Sequence, residues 1–344
     1  MIKIKYSRLL NFIKKILIIE KFDEFTAKSV AYGLCNTSLR GVDSHGVRLL
    51  PHYLKSAVSK RKNKKPKYKI KKKYSSLISV DADNAFGHAS SLYSVNAAMK
   101  IANKNGICAV SVYNSSHCGS LAATCLQVAK KNFICLGFTT ADALMLTHNS
   151  KETFFGTNPF CVAAPRVEKD PFCFDSSTST ISWNKLMEFR NKNMKLDGKY
   201  AANNKGRPTD DPFIATSLLP FAGYKGFGLA SVVEMFTSVY SGSILSKDIL
   251  PMFTSPINKK RKISHFYIII KIDGKQSNMN FKNKLQEMTD RIRKQKPLSK
   301  KNKVFLPNDP EIINSKKRLK DGIPITDELY EFFLEKSKKH NIKI

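Results

Sequence analysis

The sequence predicts an α/β fold of the mixed α+β kind, and three observations carry that expectation. Its first sixty residues read as helices. From residue 77 onward, short apolar strands alternate with helical patterns. No Gly-x-Gly-x-x-Gly follows any strand, so the ordinary dinucleotide-binding fingerprint is absent.

Taken in order, Leu9, Leu10, Ile13, Ile16 and Leu17 fall at helical spacing and make an amphipathic first helix. The run superficially resembles a signal peptide, but Lys14 and Lys15 break it and no small-residue cleavage site follows. Phe25, Val30, Leu34 and Leu39 mark a second helix, and Leu49 to Val58 a third, before a lysine-rich loop. Strands are expected at Leu77–Val80, Ile107–Val112, Phe133–Thr139, Phe160–Ala164 and Phe172–Phe174, with helices at His88–Asn105 and Gly119–Lys131 between them. From Lys225, the spacing of Leu229, Val232, Val233, Phe236 and Tyr240 predicts one apolar helix face, stopped by Gly242. A loop over 243–262 leads to a β-rich run at His265–Ile272, then helices at Phe281–Arg293 and Asp327–Lys338. The expected division is a helical N-terminal segment (1–73), an α/β domain (74–262) and a C-terminal segment (263–344) packing with the N-terminal helices.

Composition narrows the function. The chain carries 59 Lys plus Arg against 27 Asp plus Glu, a net charge of +32 that draws anions to the surface. Ten of the fourteen residues from Lys60 to Lys73 are basic, and further clusters sit at Lys259–Lys262 and Lys294–Lys303. These runs lack interleaved aromatics apart from Tyr68 and form no helical stripe, so they read as solvated loops rather than a nucleic-acid interface. Seven scattered cysteines, with no Cys-x-x-Cys pair and an odd count, predict reduced thiols in a cytoplasmic protein and no metal site. No apolar run is long enough to cross a bilayer.

Chemistry concentrates in a few segments. Gly41 to Leu50 reads GVDSHGVRLL and brings together Ser44, His45 and Arg48. Imidazole gives and takes protons near neutrality, and a guanidinium fork meets a carboxylate with two hydrogen bonds. A second segment, Asn114 to Gly119, places His117 between a strand and a helix, where ligands collect in α/β proteins. Then come the turn Gly156-Thr157-Asn158-Pro159, the hydroxyl-rich run Asp175-Ser176-Ser177-Thr178-Ser179, and Gly223-Tyr224-Lys225-Gly226 at a helix start. Asp175 suits a ribose hydroxyl. A lysine opening a helix is unfavourable with the dipole unless it meets an anion.

Read together and in this order, the segments resemble the malate/L-lactate dehydrogenase family of the non-Rossmann type, which includes ureidoglycolate dehydrogenase, diketogulonate reductase, sulfolactate dehydrogenase and piperideine-2-carboxylate reductase. The resemblance runs from about residue 20 to residue 338 and takes in the closing segments Leu306–Glu311 and Asp321–Pro324. It implies a family-specific fold that binds NAD or NADP, a homodimer, and hydride transfer with a small 2-hydroxy or 2-oxo acid. By motif match, His45 and His117 would handle protons with Ser44 beside them, and Arg48 would grip the substrate carboxylate. Thr140, Ala141, Asn158, Asp175, Ser176, Ser177, Lys225, Gly226, Pro307, Asn308 and Asp309 would bind the cofactor. The sequence departs from the family pattern at Cys118, at Thr139-Thr140-Ala141, at Tyr200 and at Asn308-Asp309. Two alternatives stay open: reduction of a cyclic imino acid or of a ureido- or sugar-derived 2-oxo acid, and a non-catalytic basic nucleic-acid-binding protein on this scaffold.

Overall fold

The computed structural model describes every residue except Met1, Lys169, Asp273 and Lys300, the last of which belongs to the third basic cluster. The N-terminal third forms β1 (Ile2–Ile4), α1 (Tyr6–Ile19), α2 (Glu24–Leu39) and α3 (Leu50–Val58). Asp23 caps α2 by accepting the Thr26 N–H at 2.9 Å. The middle runs through β2 (Lys69–Tyr74), β3 (Leu77–Asp81), α4 (Gly87–Asn105), β4 (Ile107–Ser115), α5 (Ala122–Ala129) and β5 (Phe133–Thr139). Short strands β6 (Met145–Leu146) and β7 (Thr153–Phe155) lead to β8 (Phe160–Ala164), β9 (Phe172–Ser176) and α6 (Trp183–Asn191). Next are β10 (Ala201–Ala202), β11 (Pro208–Thr209), β12 (Ser217–Leu218) and α7 (Tyr224–Glu234). The chain closes with β13 (Ile263–Lys271), α8 (Lys275–Arg293), α9 (Asp309–Asp321), β14 (Ile323–Ile325) and α10 (Asp327–His340).

The large sheet has the order β2-β3-β4-β13-β5-β8-β9. Only β3 and β4 run parallel, and α4 supplies the crossover that a parallel pair requires. Side chains alternate across this sheet with period two. Cys135, Tyr267 and Ile269 face α4 and α5, where Val95, Ala98, Cys125 and Leu126 complete one core. Leu136, Phe138, Phe266 and Ile268 point to the other face, which Val233 and Phe236 cover. The layer made by the chain ends buries Leu9, Phe12, Leu34, Tyr53, Ile325 and Phe333 together, and β1 pairs with β14. A smaller sheet, β11-β10-β12-β6-β7, stands beside α6.

Four expectations are corrected. The lysine-rich loop contains β2, a fully exposed edge strand whose lysines discourage further pairing. The helix expected from Gly119 begins at Ala122, because Gly119 sits at φ +69° in a turn where a Cβ would stand 2.4 Å from the His88 ring. The β-rich run after residue 263 lies at the centre of the large sheet, so the return to the N-terminal helices begins only with α9, whose Arg318 bonds Ser38 and Asp43. Finally, α7 buries Gly226, Ala230, Val233 and Glu234, while Val232 and Tyr240 of the expected apolar face are exposed. A π-helical turn at Met235–Val239 continues the helix to Gly242, which stops it at φ +67°. The small sheet, α6 and α9 had no periodic signal in the sequence.

Candidate active site

The first histidine segment lies on two 3₁₀ turns, Asp43–His45 and Val47–Leu49, that follow α2. Their position is fixed by Asp43, whose two carboxylate oxygens accept from Arg318 of α9 at 2.6 and 2.8 Å. The Ser38 hydroxyl oxygen adds a bond by accepting the Val47 N–H at 3.0 Å. The second segment leaves β4 into a turn held by Ser116, whose hydroxyl donates to the Ala85 carbonyl at 2.8 Å and accepts from the Gly87 N–H at 3.1 Å. These supports bring His45 and His117, 72 residues apart in sequence, into a ring stack with centroids 5.5 Å apart and planes 23° apart.

The two imidazoles differ in their partners. His45 Nδ1 shares a hydrogen bond with Ser44 Oγ at 2.8 Å. His117 Nδ1 meets the Tyr53 hydroxyl at 2.8 Å and receives the Gly119 N–H at 3.3 Å. Burial, then the Arg48 charge, pushes the His45 pKa down to about 4. Burial also holds His117 well below the ordinary range, helped by His45, Lys62, Arg261 and His88. Both rings are therefore neutral at neutral pH. Arg48 itself is exposed on its turn, next to His45.

Beside His45 opens a cleft of about 420 Å³. Ser44 and His45 form one end, and Asp175, Ser176 and Ser177 at the end of β9 form a wall. Arg40, Pro307 and Asn308 close it from the side of α9. Asp175 Oδ2 accepts from the Ala122 N–H and the Ser120 hydroxyl, both at 2.8 Å. Protein crowding raises the Asp175 pKa to about 6 against those two bonds, and the side chain still reaches solvent through the cleft mouth. It is therefore ionised at neutral pH. Arg40 donates to Asn308 Oδ1, and Asn308 Nδ2 donates to the Pro171 carbonyl at 3.0 Å.

A nicotinamide dinucleotide asks for a carboxylate or amide on its ribose, donors and a cation on its phosphates, and a proton-handling group at its reactive end. This cleft supplies Asp175, the serine hydroxyls, Arg40 and His45 in one place. The residues present fit the group.

Other expected site residues lie elsewhere in the chain. Asp309 turns away from the cleft to pair with Arg293 at 2.6 Å. Asn158 is buried, and its amide is consumed by Glu234, the Ala230 carbonyl and Ser246. Thr140 is buried and bonded to Ser264, and Ala141 packs on Gly156. Gly226 closes a turn so tight that a Cβ would stand 2.1 Å from the Phe221 carbonyl oxygen. Lys225 is exposed at the start of α7, outside the cleft wall. None of these six is brought to the cleft of this chain.

The chain is similar to known proteins along nearly its whole length. The family model for malate/L-lactate dehydrogenase matches residues 4–333. The chain belongs to the malate/L-lactate dehydrogenase family. It is 29% identical over 352 residues to a malate dehydrogenase of Pyrococcus abyssi, covering 99% of this chain and 96% of that protein. It is 27% identical over 308 residues to a ureidoglycolate dehydrogenase (NAD(+)) of Escherichia coli K12, covering 90% and 88%. In fold it resembles the crystal structure of malate dehydrogenase from Entamoeba histolytica, with a TM-score of 0.93 over 100% of this chain and 99% of that one, at 24% identity. Membership makes the chain a hydroxyacid dehydrogenase.

Sequence reasoning missed Arg40, Ser120 and Tyr53. Arg40 had a signal, a cation one residue ahead of the Gly41 turn. Tyr53 had none, because an aromatic at helical spacing reads as core.

Proposed function

We propose that the chain moves a hydride between NAD and a small 2-hydroxy or 2-oxo acid of the malate or lactate type, with the acid lying between the histidine pair and the Asp175 wall. The supporting observation is the His45 imidazole lining the end of a cleft, stacked on His117 behind it, with a carboxylate, hydroxyls and a guanidinium on the cleft's other walls. A bound nicotinamide gives or takes the hydride. Protons and charges fall to the chain.

In reduction the substrate oxygen gains charge and needs a proton. His45 is the group for this step. Its Nε2 makes no hydrogen bond to protein among the described residues, and the Ser44 hydroxyl can donate to or accept from Nδ1, so both tautomers are reachable. Arg48 beside it offers the fork for the substrate carboxylate. That carboxylate also offsets the Arg48 charge and favours protonated His45, so proton uptake accompanies substrate binding. His117 stands behind as a second hydrogen-bonding ring.

For the cofactor, Asp175 would bond a ribose, and its charge would disfavour a 2′-phosphate and so favour NAD over NADP. Ser176, Ser177 and Asn308 line the same wall, Pro307 shapes it, and Arg40 would meet a phosphate. The protein is also read as a cytoplasmic homodimer. Val232, Met235 and Val239 form an exposed apolar stripe along α7 and its continuation, which pairing with a second copy would cover.

The test crosses NADH and NADPH with oxaloacetate, pyruvate, sulfopyruvate, a ureido 2-oxo acid and a cyclic imino acid, following loss of reduced nicotinamide. Turnover is expected with NADH and oxaloacetate or pyruvate. Turnover with the cyclic imino acid alone contradicts the substrate class, and no turnover with salt-sensitive RNA retention favours the binding-protein alternative.

A further inference from the structure

Tyr53 has no role in the mechanism above, yet its placement is unusual. It comes from α3, is wholly buried, and aims its hydroxyl at His117 Nδ1 from 2.8 Å. The backbone N–H of Gly119 points at the same nitrogen from 3.3 Å. A backbone N–H can only donate, so Nδ1 must be an acceptor. The phenol has one proton and two acceptors in reach, Nδ1 at 2.8 Å and the His117 carbonyl at 3.2 Å; it donates to the nearer nitrogen, and the single ring proton belongs on Nε2.

The ring carrying that hydroxyl cannot swing away. Phe86 lies against it with centroids 5.6 Å apart, and the Lys62 Nζ sits 3.6 Å from the centre of its face. Lys62 is itself buried and its Nζ has no hydrogen-bond partner among the described residues. The aromatic face lies against this nitrogen, while burial beside Arg261 and Arg61 holds the Lys62 pKa well below the ordinary lysine range. Packing therefore presets the direction of the hydroxyl.

We propose that Tyr53 is a positioning residue for the reaction: with the Gly119 amide it locks His117 as the Nε2–H tautomer, so that His117 presents a hydrogen-bond donor and leaves proton carriage to His45. This rests on the reading of the histidine pair as the reaction centre. Protonating Nδ1 would set its N–H against the Gly119 N–H and turn the phenol from donor to acceptor. The other charged or titratable groups acting on His117 are His45, Lys62, Arg261 and His88, and all four oppose a cation there. The two stacked rings thus divide the work, one free to change tautomer and one held.

Nitrogen-15 spectra of the imidazoles read the tautomer without cofactor or substrate, with His117 assigned by its loss in His117→Gln. In the unaltered protein His117 is expected as Nε2–H throughout the neutral range. In Tyr53→Phe, which keeps the ring and removes the donor, a mixture of tautomers is expected, and the acid limb of kcat/KM moves to higher pH as protonation becomes easier. With NADH and the best acid, kcat should fall about 10-fold or more, the size of one lost hydrogen bond of about 1.4 kcal/mol, with KM for NADH unchanged. An Nδ1–H His117 in the unaltered protein, or an unmixed Nε2–H tautomer in Tyr53→Phe, overturns the proposal. A shifted tautomer with unchanged turnover keeps the positioning and instead removes His117 from the reaction centre.

Discussion

His45 and Asn158 both come from polar segments of the family pattern, yet the structure uses them in opposite ways. His45 ends in a cleft with one ring nitrogen free of protein partners among the described residues. Asn158 spends both amide protons and its carbonyl on Glu234, Ala230 and Ser246, tying the start of β8 to α7 and the loop after it. The first has bonding capacity left for a ligand, and the second has none. Unspent hydrogen-bonding capacity beside a cavity therefore separates chemical residues from scaffold residues better than the residue types do.

Several experiments would break or sharpen that contrast. The largest effect should come from buried scaffold histidines. His88 and His265 are enclosed, and burial pushes each pKa down to about 3. The unfolded chain protonates them near 6.5 while the folded chain does not, so their contribution is intact above that pH and is lost as pH falls from about 6.5 toward 3. Together they should remove up to about 3 kcal/mol of stability per pH unit in that window. Denaturant midpoints measured between pH 7 and 5 check this, and a flat profile would contradict it.

Asn158→Ala should come next. It strips two donors from a network that includes the buried Glu234 carboxyl, at a cost of about 2–3 kcal/mol. Activity per folded molecule should hardly change. A normal melting point with lost NADH binding would move Asn158 from scaffold to ligand wall.

A smaller effect is expected at Asp175. Asp175→Asn should weaken NADH binding about 10-fold, one hydrogen bond to a charged group, and narrow the gap between NADH and NADPH. Fluorescence titration with both cofactors measures it, and an unchanged ratio would free Asp175 from the ribose. Lys225→Ala should do least. If one chain builds the whole cleft, the NADH dissociation constant stays within about 2-fold, as for a surface substitution of under about 0.5 kcal/mol. A large loss would place Lys225 in a cleft completed by a second copy.

How much was legible in the sequence follows the same contrast. Helices α1, α2, α4 and α10 and strands β4, β5 and β8 were visible, because their apolar periods match the faces they bury. Strand β2 was hidden because an exposed edge strand of lysines buries nothing and so has no period. The buried face of α7 was misread because glycine, alanine and a carboxyl group form it, while valines and a tyrosine stay outside. At the site, Ser44, His45, His117, Asp175, Ser176 and Ser177 could be named from their segments. Arg40 and Tyr53 could not be placed from α2 and α3 alone, since their roles depend on Asn308 and His117, each far away in sequence. Only the fold brings those partners together.

The central claim is that His45 carries the proton beside a cofactor bound in the Asp175 cleft. The most direct measurement is turnover of His45→Ala with NADH and the best 2-oxo acid, taken alongside its NADH dissociation constant. A loss of about 10²–10⁴-fold in kcat with cofactor binding intact is expected. Turnover at the parental rate would contradict it.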